Sequence, residues 1–214
     1  MKREQVRELL VNVLTGSSRS LIDYLTVLAM NESSGNPGAV TGTHVGLFQF
    51  GVVEWAEWQK VSGTNEDRTS ATSSALAARW FVKRIIATLG KAGAVEDWTS
   101  EDWVALLTQS WNAGWTWSRG VPYVIRWARE NNKPVPRTPE QVVALAPEVL
   151  NAGEFLSNAR RAKWHRSVAR EYMTFSKSKV VTGMTTSTKV KIAGAIVVVG
   201  LLAIVFSGDK DERI

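Results

Sequence analysis

A chain of 214 residues, 44% hydrophobic and 21% charged, has room for one domain of ordinary size with an appendage and is too apolar for disorder. It has no Cys and only His44 and His165, which excludes disulfide scaffolds, thiolate zinc sites, cysteine nucleophiles and histidine-rich metal centres. The net charge is +6, but +4 of it sits on Lys177, Lys179, Lys189 and Lys191, and residues 1–176 keep only +3, so a nucleic-acid groove is disfavoured.

Apolar residues recur at helical spacing through most of residues 1–176. Val6, Leu9, Leu10, Val13 and Leu14 mark a first helix. Ser20 is the expected cap of a second, from Leu21 to about Glu32. Residues 33–46 are dense in Gly, Ser, Asn and Thr, too broken for a helix, and weak strand signals are confined to residues 38–50. Further helices are predicted over 52–60, 70–89 and 101–110. Thr138-Pro139-Glu140-Gln141 has capping-box form with Pro at the first helical position. A last long helix is expected over 154–175, with Phe155, Ala159, Ala162, Val168 and Tyr172 facing inward. The expected body is mainly α, with one small irregular or β lobe.

Residues 177–191, rich in Ser, Thr and Lys, read as a basic linker. From Ile192 to Phe206 there is no polar side chain. As a helix those residues measure roughly 22 Å, against a hydrocarbon core of ~30 Å, and Val190, Ser207, Gly208 and snorkelling lysines make up the difference. A transmembrane helix over 192–208 is expected, followed by a charged tail, 209–214. The N-terminal stretch is amphipathic and charged, without a signal-peptide core, so a single C-terminal anchor is the expectation. The lysines flank the span on the body side, and positive charge tends to stay cytoplasmic. That orientation would face the body to a cytoplasm or to a particle interior.

Three segments look wrong for mere packing. Met30-Asn31-Glu32-Ser33-Ser34-Gly35-Asn36-Pro37 sets an acid at the end of an apolar helix. There the negative end of the helix dipole and apolar neighbours raise a carboxyl pKa, as a general acid requires. Gly46-Leu47-Phe48-Gln49 combines a permissive turn with an amide able to grip a sugar. Ser110-Trp111-Asn112-Ala113-Gly114-Trp115 is a helix end with a polar Asn between aromatics.

In this order, with Glu32 fourteen residues ahead of Gly46, the segments resemble the lytic transglycosylase and goose-type lysozyme superfamily, which cleaves the glycan strands of peptidoglycan. That family carries Glu-Ser followed by Asn-Pro, then Gly-Leu-Met-Gln, then Ala-Tyr-Asn-Ala-Gly. The resemblance spans about residues 18–130 and extends toward 175. It implies a lysozyme-like α-helical domain over 1–176 and no metal or organic cofactor.

It also implies that Glu32 is the catalytic acid and later the base, with Ser33, Gln49 and Asn112 orienting the sugar and the carboxylate. Phe48 and Trp111 depart from the family's Met and Tyr. Trp111 loses a phenolic hydroxyl yet keeps a face for stacking on a pyranose, a role extended to Trp115 and Trp117. Tyr172 matches the family's late Tyr loosely. The other Trp residues, Trp164 included, are assigned to packing. The expected substrate is the MurNAc–GlcNAc bond, with the substrate's N-acetyl group as nucleophile. Glu54 and Glu57 are candidates for a second carboxylate if the enzyme is a hydrolase, and are otherwise solvated helix residues.

The expected partners are peptidoglycan strands, a lipid membrane and other virion membrane proteins, with no specific nucleic acid. The layout suits a phage virion component that opens the wall during genome delivery. The alternatives are a non-catalytic glycan-binding membrane protein that kept the fold, or a hydrolytic muramidase of a bacterial secretion or conjugation system.

Overall fold

In the computed structural model, residues 1–114, 116, 120–149 and 161–182 are described, and residues 1–178 form one compact unit that is mainly helical. Its elements in order are α1 (Arg3–Val13), α2 (Arg19–Ser33), β1 (Val40–Thr41), β2 (His44–Val45), α3 (Val52–Ser62), α4 (Ala71–Ala92), α5 (Glu101–Ala113), α6 (Val121–Glu130), α7 (Pro139–Val149) and α8 (Ala162–Thr182). The two strands pair antiparallel, Val40 opposite Val45 and Thr41 opposite His44, as the small lobe predicted between α2 and α3.

The centre of the unit is α2. Leu21, Ile22, Tyr24, Leu25, Val27, Leu28 and Ala29 are all buried, so this helix is apolar nearly all round and must be covered on every side. α1 covers one side with Val6, Leu10 and Leu14, the predicted stripe. Asp23, fully buried on α2, accepts from Arg7 Nε at 2.9 Å and Arg19 Nε at 3.4 Å, so a charge placed in the core is paired there. α4 packs on α1, α2, α5 and α6, and α7 closes over α5 and α6.

Caps fix the helix limits. Ser18 Oγ, not that of Ser20, accepts from Leu21 N, which starts α2 two residues earlier than predicted. Ser70 and Ser100 cap α4 and α5 through the amides of Ser73 and Trp103. Thr138 Oγ1 accepts from Gln141 N as the capping pattern predicts.

Two differences concern whole elements. α6 was not predicted: its apolar residues Val121, Val124, Ile125 and Ala128 keep helical spacing but are crowded by Tyr123, Arg126 and Trp127. α8 runs through Thr182, past the linker boundary placed at 176, because Ser and Lys there do not break a helix already anchored by Val168, Tyr172 and Phe175. Residues 154–160 of the predicted last helix lie outside the described residues, as do the rest of the linker, the span 192–208 and the tail 209–214. Among the described residues no helix is long and apolar enough to cross a membrane.

Candidate active site

The end of α2 is shaped by its cap. Ser34 adopts the left-handed conformation, φ 54°, its amide bonds back to Met30 O at 3.0 Å, and Gly35 follows at φ 73°. Glu32 therefore stands in the last turn, among the unsatisfied carbonyls. Beneath it Ser33 turns inward and donates from Oγ to Ala29 O at 3.1 Å and Leu47 O at 2.8 Å. That second bond ties α2 to the Gly46–Gln49 turn. Gly46 has φ 93°, and a β-carbon there would overlap the Arg68 carbonyl oxygen, so only glycine fits. Arg68 Nη1 holds the lobe by donating to Thr43 O at 2.7 Å and Phe50 O at 2.9 Å.

A cleft of about 390 Å³ opens between the end of α2, the hairpin lobe, the start of α3, the end of α5 and the start of α8. Glu32, Gln49, Trp111 and Asn112 all line it, so four of the residues singled out in three separate segments meet. Glu32 is half-buried, and Trp111 Nε1–H donates to its Oε1 at 3.1 Å. The indole thus supplies a hydrogen bond to the carboxyl although the phenolic hydroxyl of the family's Tyr is lost. Burial pushes the Glu32 carboxyl up to about 7, against the opposing pull of the Trp111 N–H and the Arg161 charge. An acid tuned to neutral pH can give a proton and take it back.

Gln49, itself at φ 50°, spends its amide N–H bonds on Ala39 O (3.2 Å) and Gly46 O (2.9 Å), which fixes the turn and leaves its Oε1 without a partner. Asn112 is held from behind by His165, whose Nε2 lies 3.4 Å from Asn112 Oδ1. His165 is fully buried, and burial followed by the Arg161 charge lowers its pKa to about 4, so the ring is neutral near pH 7.

Three expected site residues are not on the cleft. Ser33 is buried and its hydroxyl is committed to backbone carbonyls, so it braces the turn from beneath the cleft. Phe48 is 1% exposed, because alternation along the turn sends it inward against Phe50 (6.4 Å between ring centroids) and Trp111 (6.4 Å). Tyr172 is also 1% exposed and packs its ring on Tyr24 and Trp98 in the core, a contact its apolar helical register dictates. Trp115 and Trp117 lie outside the described residues.

Conversely, Trp164, assigned to packing, is half-buried and lines the cleft with Arg161 and His44, which were not considered for it. Arg161, Trp164 and His165 stand at i, i+3 and i+4, the spacing of one helix face, which was the available signal. Of the two further carboxylates, Glu54 lines the cleft, whereas Glu57 is drawn to Arg84 Nη1 at 2.5 Å. No family model matches this chain, and neither does any curated protein or solved structure.

Proposed function

We propose that the chain is a peptidoglycan-cleaving enzyme of lytic transglycosylase type with a lysozyme-like helical body, and that Glu32 is its single acid and base. The observation that carries this reading is a half-buried carboxyl, pushed up to about 7 by that burial, in a cleft that also holds the amides of Gln49 and Asn112. Glu32 protonates the glycosidic oxygen between MurNAc and GlcNAc as that bond breaks. The substrate's own acetamido oxygen takes up the bond at the anomeric carbon. Glu32, now a carboxylate steadied by Trp111, removes the proton of the muramic C6 hydroxyl, whose oxygen closes on the same carbon and releases the acetamide. The product is an anhydro sugar, and no water is consumed. Glu32→Gln is nearly isosteric and is expected to abolish wall clearing with the fold intact. A purified Gln variant that digested sacculi at the parent rate would remove the assignment.

Glu54 on the same cleft supports a second reading, hydrolysis with a water activated by that carboxylate. Product mass separates the two, since the anhydro product is lighter by one water. In the first reading Glu54→Gln leaves product identity unchanged.

We place the enzyme in a phage particle with a membrane, anchored by residues 192–208. The lysine-rich approach to that apolar run supports this setting. Detection in purified virions, and loss on detergent stripping, tests it. Recovery only from the bacterial envelope would favour a secretion or conjugation apparatus.

A further inference from the structure

The wall of the cleft built by α8 and the end of α5 carries hydrogen-bond donors that the glycosidic chemistry leaves without a role in binding. Arg161 is exposed, lines the cleft, and makes no ion pair among the described residues. Its guanidinium lies 5.3 Å from the centroid of the Trp164 ring, so one face is covered while the N–H edge stays free to bind.

Asn112 adds a donor, by elimination. Its Oδ1 faces His165 Nε2, and a carbonyl oxygen only accepts, so the neutral ring carries its proton on Nε2. The other tautomer would set lone pair against lone pair and would bury an N–H at Nδ1, where no partner stands. With Oδ1 engaged by His165, the NH2 of Asn112 is the group it has left to offer a ligand in the cleft it lines.

We propose that Arg161, Asn112 and Trp164 form a carboxylate-binding subsite, so that the preferred glycan carries an acidic substituent on a sugar next to the bond that Glu32 cleaves. The proposal rests on the reading of Glu32 as a glycosidic acid and adds a determinant of specificity to it. A planar carboxylate meets the guanidinium edge through two N–H bonds, takes a third from the Asn112 amide, and leaves its sugar ring beside the edge of Trp164.

There is a consequence for the chemistry. The Arg161 charge holds the Glu32 carboxyl down. A substrate carboxylate seated on Arg161 cancels part of that field, so Glu32 keeps its proton to higher pH in the complex. Among the described residues, the charged or titratable groups lining the cleft besides these are Glu54 on α3 and His44 on the hairpin, and the buried Tyr24 of α2 also feels the Glu32 charge.

The test uses the full chain in detergent, carrying Glu32→Gln so that ligand is not consumed. Calorimetry compares a GlcNAc–MurNAc tetrasaccharide bearing free lactyl carboxylates with neutral chitotetraose, before and after adding Arg161→Gln. The ratio of acidic to neutral affinity is expected to fall about tenfold or more with Arg161→Gln, and to recover in part with Arg161→Lys. Asn112→Asp, which sets an acceptor and a negative charge on the same wall, should lower the ratio as well. An unchanged ratio in both Arg161→Gln and Asn112→Asp overturns the subsite and leaves the reading of Glu32 standing. Binding of neither ligand to the Glu32→Gln parent overturns both.

Discussion

Trp111 Nε1–H donates to Glu32 Oε1 across 3.1 Å, joining the last turn of α5 to the last turn of α2. An indole N–H has no lone pair to offer, so the bond strengthens only as the carboxyl loses its proton. Trp111 therefore restrains an acid that burial would otherwise push further up. Trp111→Phe keeps the aromatic contacts with Phe48 and Phe50 and deletes the N–H. The pH midpoint of activity is expected to rise by about one unit, with turnover lower by about tenfold, since the carboxylate left after proton donation is less steadied. A pH–rate profile of the variant checks this, and an unmoved midpoint would count against the bond.

Glu32 near pH 7 sets the alkaline side of the profile. In the proposed reaction cleavage needs the protonated carboxyl, so the rate should be level below 7 and fall about tenfold per unit above it. A carbon-13 titration of labelled Glu should find one carboxyl with that midpoint, absent in Glu32→Gln.

The same shift has a signature in stability. The folded-state pKa of Glu32, about 7, lies above its ordinary value of 4.5, so the folded chain binds the extra proton between them. The associated stability is fully present below 4.5 and is lost as pH rises through 7. Glu32→Gln cannot ionise and escapes that loss. It should exceed the parent by about 1–3 kcal/mol at pH 8 and match it at pH 4, as read by denaturant melts.

Ser33 distinguishes bracing from binding. Its buried hydroxyl bridges Ala29 O and Leu47 O, and Ser33→Ala should cost about 1–2 kcal/mol of stability. In the Glu32→Gln background, the affinity of the Ala variant for chitotetraose should stay within about twofold of the parent. A large loss of affinity with unchanged melting would return Ser33 to the sugar.

Gly46 is a steric requirement. Its φ of 93° and the adjoining Arg68 carbonyl exclude a β-carbon. Gly46→Ala should destabilise by about 3 kcal/mol through strain and forced displacement of the lobe, seen as a lowered thermal midpoint.

Apart from α6 and the far end of α8, the helices and the small lobe were legible because periodic apolar residues and serine caps are local signals. The meeting of Glu32, Gln49, Trp111 and Asn112 was legible only through the order of three motifs, since nothing local says that the ends of α2 and α5 converge. Orientation within a motif was not legible. Ser33, Phe48 and Tyr172 turn inward because the α2 cap, the Gly46 turn and the α8 register each rotate one residue toward the core and its neighbour toward solvent. Arg161 and Trp164 were missed for the reverse reason. They stand at the start of a helix whose apolar positions advertised packing, and their value comes from what lies across the cleft.

Arg166, one turn beyond Arg161 on α8, grips Asp102 on α5 and both carboxylate oxygens of Glu140 on α7, at 3.0 and 2.7 Å. The guanidinium holds the Glu140 carboxyl down to about 2, below its ordinary 4.5. This clamp is at full strength above 4.5 and yields only as pH falls through 2. The helix bearing Arg161 and Trp164 therefore stays fastened throughout the mildly acidic range in which Glu32 is fully loaded with its proton. On the proposed reaction, acidification would leave both the proton donor and the helix beside it intact, whereas alkalinity takes the Glu32 proton first.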